Sequence, residues 1–271
     1  MADEVSGESG PVPIPREQWD SYVARVTQEM KDFTKKFATP ISKVINHDDG
    51  QAWGTGYYIE LSAQRYLLTN EHVARALTQN SLGHQFLDDD GVYRATNPFH
   101  AYELPFDVAV SRIDPQIWGK KPHGTAPIPE DKWAFAHAPV DGEILFLKGF
   151  SGSQSRFLFG TLFNNATSFG CQQVPLPAGD SRFDPRFHFA VDYRPDRATP
   201  LDGRDLPNPP GLSGSLVWNT RFIECTTNEI PWSVDQAEVT GLIWGWPSSK
   251  GCLIATRAEY VRSFLLRVVA G

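Results

Sequence analysis

Cysteine is scarce in this chain and basic runs are missing altogether. Cys171, Cys225 and Cys252 stand at unrelated spacings among 271 residues, an odd number that excludes the paired disulfide framework on which small secreted domains depend. They read as idle thiols in a reducing compartment. No run of Lys or Arg exceeds two residues and the net charge is −7, so the electrostatic footprint of a nucleic-acid binder is absent. No 18 apolar residues run together, which leaves no candidate membrane-spanning helix. Met1 to Ile14 has neither a basic start nor an apolar stretch of signal-peptide length. These absences predict a cytoplasmic protein with no nucleic-acid or membrane partner. The seven histidines include no i, i+4 pair and there is no Cys-x-x-Cys, so no metal site is expected. The acidic run Asp88-Asp89-Asp90 before Gly91 reads as a solvated turn.

What the chain does have is turn residues. With 22 Gly, 21 Pro and 41% hydrophobic residues, it is globular and built from many short elements. Residues 1–16 lack periodicity and read as a flexible leader. Over 17–37, Trp19, Tyr22, Val23, Val26, Met30, Phe33 and Phe37 recur at three- and four-residue spacing, predicting an amphipathic helix. It would pack on the body of the domain or serve as the docking element of a regulatory partner. Short β-type runs then follow: Ile41–Ile45, Gly56–Leu61, Arg65–Thr69, Gly91–Ala95, Asp107–Ile113, Ile144–Phe150, Phe157–Phe163, Phe187–Tyr193, Ser215–Trp218, Val239–Trp244 and Cys252–Thr256. No helical window of comparable strength separates them, which predicts an all-β barrel or sandwich. Tyr260, Val261, Phe264, Leu265 and Val268 share one helical face, so a second helix over 257–269 closes the chain. The Pro-, Asp- and Arg-rich stretch 171–210 reads as loops flanking a functional edge.

Three segments carry residue types suited to nucleophilic chemistry. The first runs Gly54-Thr55-Gly56-Tyr57-Tyr58-Ile59 and then Tyr66-Leu67-Leu68-Thr69-Asn70-Glu71-His72-Val73. The second is Pro105-Phe106-Asp107-Val108-Ala109-Val110, an acid opening an apolar strand. The third is Pro209-Pro210-Gly211-Leu212-Ser213-Gly214-Ser215-Leu216-Val217-Trp218. An imidazole titrating near neutrality can take a proton from a hydroxyl and return it to a leaving amine, and a carboxylate can orient that imidazole. Glycines around a serine allow a tight turn that directs two N–H groups at one point.

In these blocks and in their order, the chain resembles the trypsin/chymotrypsin-like serine peptidases, over roughly residues 41–265. The resemblance implies a double β-barrel, the first barrel over about 41–128 and the second over about 140–256, with the site in the groove between. It implies His72, Asp107 and Ser213 as the catalytic residues, and the backbone N–H groups of Gly211 and Ser213 as the oxyanion hole. Thr240-Gly241-Leu242-Ile243-Trp244-Gly245 looks like the strand lining the substrate cleft, with Trp246 at the pocket entrance. Pro207, six residues before the serine, falls at the base of the primary specificity pocket, where no carboxylate is available for a basic side chain unless Asp202 or Asp205 swings in. An apolar or small substrate residue is therefore expected.

A second segment, Gly149-Phe150-Ser151-Gly152-Ser153, repeats the Gly-x-Ser-Gly-Ser spelling. Its position after Asp107 corresponds to the family's first strand of the second barrel, which favours Ser213 over Ser151 and Ser215. An α/β-hydrolase elbow is disfavoured, because Ser215 stands where that motif needs glycine and the order His, Asp, Ser differs from its Ser, acid, His. The chain departs from secreted zymogens at Leu212, where those carry an acid for the new N-terminus, so activation by N-terminal insertion is not expected. The expected function is peptide-bond hydrolysis of protein or peptide substrates without a cofactor. The alternative is an inert or partner-activated module of the same fold that binds peptides.

Overall fold

The computed structural model describes residues 16–46, 49–78, 81–158, 161–194 and 206–270. Helix α1 (Arg16–Thr34) opens it and takes in the last residue of the leader expected over 1–16; the rest of that leader lies outside the described residues. Strands β1 (Ala38–Val44), β2 (Gly50–Leu61) and β3 (Gln64–Thr69) follow, then the helical turn α2 (Glu71–Ala74). Strands β4 (Ser81–Gln85), β5 (Val92–Arg94), β6 (Phe99–Tyr102) and β7 (Val108–Arg112) complete an antiparallel seven-stranded sheet, ordered β5-β4-β1-β2-β3-β7-β6.

After the short α3 (Pro115–Trp118), the chain enters a second sheet. In chain order come β8 (Leu145–Gly149), then β9 (Ser155–Leu158) and β10 (Thr161–Asn164), which pair only as a separate hairpin, then β11 (Thr167–Cys171), β12 (Gln173–Val174), β13 (His188–Asp192) and β14 (Leu216–Asn219). Helix α4 (Phe222–Thr227), strands β15 (Glu238–Gly245) and β16 (Cys252–Arg257) and helix α5 (Ala258–Ala270) end the chain. The second seven-stranded sheet runs β11-β8-β14-β15-β16-β13-β12. Two curled antiparallel sheets with a helix at each end make a chymotrypsin-like double barrel, the fold class expected from the sequence.

Strand periodicity of two explains how the two sheets fill apolar spaces on both their faces. On β2, Tyr58 points into the first barrel with Ile41, Leu67, Val73 and Leu82, while its neighbours Tyr57 and Ile59 face the opposite side. On β8, Leu145 and Leu147 fill the second barrel and Phe146 between them faces outward. The outward faces of both sheets share one core, into which α1 contributes Val26 and Met30 and α5 contributes Val261, Phe264 and Leu265. Helix α1 is thus a structural layer against β8 and β11, and its apolar face is already occupied by the domain. Trp218, fully buried, lies in this shared core and not inside the second barrel.

Some elements differ from expectation. The run Phe157–Phe163, read as one strand, is divided between β9 and β10. Strands β4, β6, β11 and β12 were not anticipated: Ser-Leu-Gly-His-Gln and Phe-His-Ala-Tyr lack a β-branched alternation, and pairing with neighbouring strands decides their conformation. Helix α4, six residues long, is too short for a periodic signal.

Candidate active site

The first barrel brings two of the expected residues together. Strand β3 ends at Thr69, whose hydroxyl donates to the Thr55 carbonyl at 2.8 Å. The chain then turns into α2, with the Ala74 N–H returning to the Asn70 carbonyl at 3.0 Å. His72 sits on this turn with its side chain 40% exposed, whereas the carboxylate of Asp107 is 5% exposed. Asp107 Oδ2 lies 2.6 Å from His72 Nδ1, and Oδ1 accepts the His72 backbone N–H at 3.0 Å. One carboxylate thereby grips both the ring and the main chain of the same histidine, leaving Nε2 directed away. Asp107 has φ +44°, a left-handed conformation uncommon outside glycine. The Asn70 side-chain amide donates to its carbonyl at 2.6 Å.

The second barrel supplies the serine. Gly211 at φ +100° and Gly214 at φ +90° flank the segment, and both positions exclude a side chain. A Cβ on Gly214 would lie 1.9 Å from the Thr55 carbonyl oxygen and 2.6 Å from the Thr69 hydroxyl; on Gly211 it would meet the Phe150 carbonyl at 2.5 Å. The absence of side chains is what lets this loop press against β2 and the end of β3, next to the turn carrying His72. The Ser213 carbonyl accepts the Thr55 N–H at 2.8 Å, beside Gly54, whose other neighbour is Val73. Among the described residues no hydrogen bond joins Ser213 Oγ to His72; such bonds are commonly long before substrate enters.

The loop's hydrogen bonding is asymmetric. Tyr193 OH donates to the Pro207 carbonyl, Ser151 Oγ to that of Asn208 at 2.7 Å, and the Leu212 N–H to that of Pro209 at 2.8 Å. The Gly152 N–H holds the Pro210 carbonyl at 2.9 Å, Thr55 Oγ1 that of Gly211 at 2.8 Å, and the Ser215 N–H that of Leu212 at 3.0 Å. Every carbonyl from Pro207 to Ser213 therefore has a donor. The N–H groups of Gly211 and Ser213 have no acceptor among the described residues, as has that of solvent-exposed Asn208. Backbone donors held rigidly and left unsatisfied form a ready site for developing negative charge.

The rival serines occupy different surroundings. Ser151 is fully buried, with its hydroxyl 2.8 Å from that of Ser153. Ser215 is also fully buried, against Gly149. Only Ser213 of the three is partly exposed.

Of the residues expected at the substrate cleft, Pro207 is buried, Trp244 is 8% exposed with its ring against Phe183 and His188, and Trp246 is 40% exposed. Asp202 and Asp205 lie outside the described residues. Two cavities, of about 650 Å³ beside Gln173, His188 and Arg257 and of about 260 Å³ beneath α1, include none of His72, Asp107 and Ser213. Among the described residues no three His, Cys, Asp or Glu side chains gather to hold a metal, and no helix is long and apolar enough to cross a membrane.

Sequence reasoning missed Thr55, Asn70, His188 and Thr256. Thr55 joins the two barrels: besides its bonds to Gly211 and Ser213, its Oγ1 accepts the Phe150 N–H at 2.9 Å. Threonine within a strand carries no signal of such a role.

Two curled antiparallel seven-stranded sheets with a helix at each end are the fold of the chymotrypsin-like proteases. The chain resembles the crystal structure of an inactive serine-to-alanine form of Rv3671c from M. tuberculosis H37Rv, with 18% identity, TM-score 0.50, and 96% of this chain and 97% of the other covered. It also resembles the scabies mite inactivated protease paralogue S-I1, at 11% identity and TM-score 0.50 over 87% of this chain and 94% of that one. At these identities the likeness is one of fold. No family model and no curated protein matches the sequence.

Proposed function

We propose that this protein is a serine endopeptidase, with His72, Asp107 and Ser213 as its catalytic residues and protein or peptide substrates. The observation that carries the reading is the His72–Asp107 contact of 2.6 Å near a loop whose Gly211 and Ser213 N–H groups have no acceptor among the described residues. Ser213 Oγ attacks the scissile carbonyl carbon while its proton passes to His72 Nε2, and the Gly211 and Ser213 N–H groups receive the oxyanion. Collapse of the tetrahedral species breaks the C–N bond, and His72 returns the proton to the leaving amine. Water then attacks the acyl-enzyme by the same route, regenerating Ser213 and releasing the new carboxylate. Asp107 fixes the ring so that Nδ1 keeps its proton and stabilises the imidazolium that forms in each half-reaction.

Pro207 at the base of the primary pocket and Trp246 at its entrance favour a small or apolar residue before the scissile bond. The reading needs no cofactor. Three free cysteines accord with a cytoplasmic location. A regulatory partner reaching α1 would meet its polar face, because the apolar one is buried.

Labelling with a fluorophosphonate, followed by peptide mapping, tests the proposal. An adduct on Ser213 that is lost in both Ser213→Ala and His72→Ala supports it. A folded wild type without adduct would overturn it in favour of an inert or partner-activated module that binds peptides.

A further inference from the structure

The segment carrying Asp107 is held from the other barrel. Its three successive carbonyls each take one side-chain donor, two from strands of the second barrel and one from the residue capping α2. His188 Nε2 of β13 lies 2.6 Å from the Pro105 oxygen, Thr256 Oγ1 of β16 donates to that of Phe106 at 2.8 Å, and the Asn70 amide donates to that of Asp107. The Asp184 N–H donates to His188 Nδ1 at 3.0 Å, so Nδ1 is the acceptor and the ring's proton resides on Nε2, aimed at Pro105. His188 is 1% exposed and its ring packs on Trp244. Burial keeps the imidazole below its ordinary pKa, which preserves this neutral form at neutral pH.

A residue at φ +44° persists only where its surroundings over-determine it. Asn70 supplies one constraint from the first barrel, but a chain segment needs fixing on both sides of the residue. We propose that His188, with Thr256, is a positioning residue for Asp107, so that docking of the second barrel sets the aim of the carboxylate at His72. The inference rests on the catalytic assignment above. It adds to it that the acid and the nucleophile are registered against each other through the second barrel's own β13 and β16.

The test compares His188→Phe, which keeps a flat ring without a donor, with His188→Gln, whose amide can reach the Pro105 carbonyl. The first readout is independent of turnover: the NMR resonance of the His72 Nδ1 proton bridging to Asp107. It should weaken or vanish in His188→Phe and persist in His188→Gln. The second is kinetic, per active site titrated with fluorophosphonate. His188→Phe should lose about 10- to 100-fold in kcat with KM little changed, as expected of a misplaced group remote from substrate. The acid limb of its kcat/KM profile should move to lower pH, and His188→Gln should recover most of the loss. A wild-type resonance and unchanged acid limb in His188→Phe would overturn the inference. So would a His188→Gln variant as impaired as the phenylalanine, since packing alone would then explain the loss. Should His188→Phe fail to fold, Thr256→Val reads the same clamp at Phe106, and an unchanged resonance there overturns it. If the resonance responds as expected but no variant or wild type forms an adduct, the proposed hydrolysis falls and the positioning role stands.

Discussion

The chain spells Gly-x-Ser-Gly-Ser twice, at 149–153 and at 211–215, and folds the two copies to opposite purposes. In the second copy both glycines have φ near +100°, the serine is partly exposed, and two N–H groups have no acceptor among the described residues. In the first copy neither glycine has a left-handed φ, and the serine is fully buried with its hydroxyl spent on the Asn208 carbonyl. The copies also touch. Ser151 and Gly152 of the first hold the Asn208 and Pro210 carbonyls that lead into the second, and Gly149 makes room for Ser215. One copy is a scaffold and the other is what it supports. The distinction lies in backbone conformation and in which neighbour receives each hydrogen bond, and residue identity carries neither.

The sharpest break in that comparison comes from deleting each hydroxyl. Ser213→Ala is expected to lower peptide hydrolysis at least about 10⁴-fold without lowering the melting temperature, because among the described residues its Oγ has no hydrogen-bond partner to lose. Ser151→Ala is expected to do the reverse, costing about 1–2 kcal/mol of stability by orphaning the Asn208 carbonyl, with hydrolysis retained. Chemical denaturation and steady-state kinetics on the pair read both effects. Equal losses of activity in the two variants would dissolve the distinction between scaffold and site.

A β-branched side chain distinguishes the copies next. Gly211→Val must displace the Phe150 carbonyl, 2.5 Å from the new Cβ, and cannot hold φ +100° without strain. The Pro210–Gly211 peptide would reorient and its N–H would leave the position proposed above for the oxyanion. Loss of one such donor costs about 10²- to 10³-fold in kcat. Single-turnover acylation with an activated ester would show the effect in the chemical step, and wild-type acylation would deny Gly211 its place in the hole.

How much of this was legible beforehand follows from what kind of signal each residue leaves. His72, Asp107 and Ser213 stand in short blocks whose residue types and order are tied to chemistry, and the two barrels announce themselves through repeated short apolar runs between turn residues. Tyr57 and Tyr58, adjacent and both buried, follow from β2 lying between two cores. The clamp on Asp107 left no such trace. His188 reaches Pro105 across 83 positions and Thr256 reaches Phe106 across 150, and side-chain bonds to backbone carbonyls at that separation impose no spacing and no periodicity. Thr55 is hidden for the same reason. Strands β4 and β6 were invisible because their partners, not their own composition, hold them extended.

The scaffold copy is preceded by a buried cation, which gives the comparison a pH dependence. Lys148 is 5% exposed on β8, with Nζ 3.4 Å from the Lys31 carbonyl in the last turn of α1. Burial lowers its pKa from 10.5 to about 8. Between those two values the unfolded chain keeps a proton that the folded chain has released, so this group's contribution to stability rises with pH through the window. It is lost again as pH falls through about 8. Lys148→Met removes the cost of the buried charge, and the variant should be more stable than wild type at pH 7 by about 2 kcal/mol. The gap should close as pH approaches 10.5, with activity unchanged throughout. Urea midpoints across that range check the sign; a variant less stable at pH 7 would mean the bond to Lys31 outweighs desolvation.

The smallest effect bears most directly on why two identical spellings differ. Gly152 has no left-handed φ, and a Cβ there would find its nearest neighbour, the Pro210 carbonyl, at an ordinary 3.6 Å. Nothing in the folded state therefore requires glycine at this position, whereas its counterpart Gly214 would place a Cβ 1.9 Å from the Thr55 carbonyl. Gly152→Ala should stabilise the protein by about 0.4–1 kcal/mol, through the lower entropy of the unfolded chain. The Gly152 N–H still reaches Pro210 in the variant, so kcat should stay at its wild-type value. Gly214→Ala should fail to fold. Thermal melts of the two variants side by side decide the matter: if Gly152→Ala were destabilising, the first copy would need its glycine for conformation as the second does, and the contrast between them would rest on the serine's burial alone.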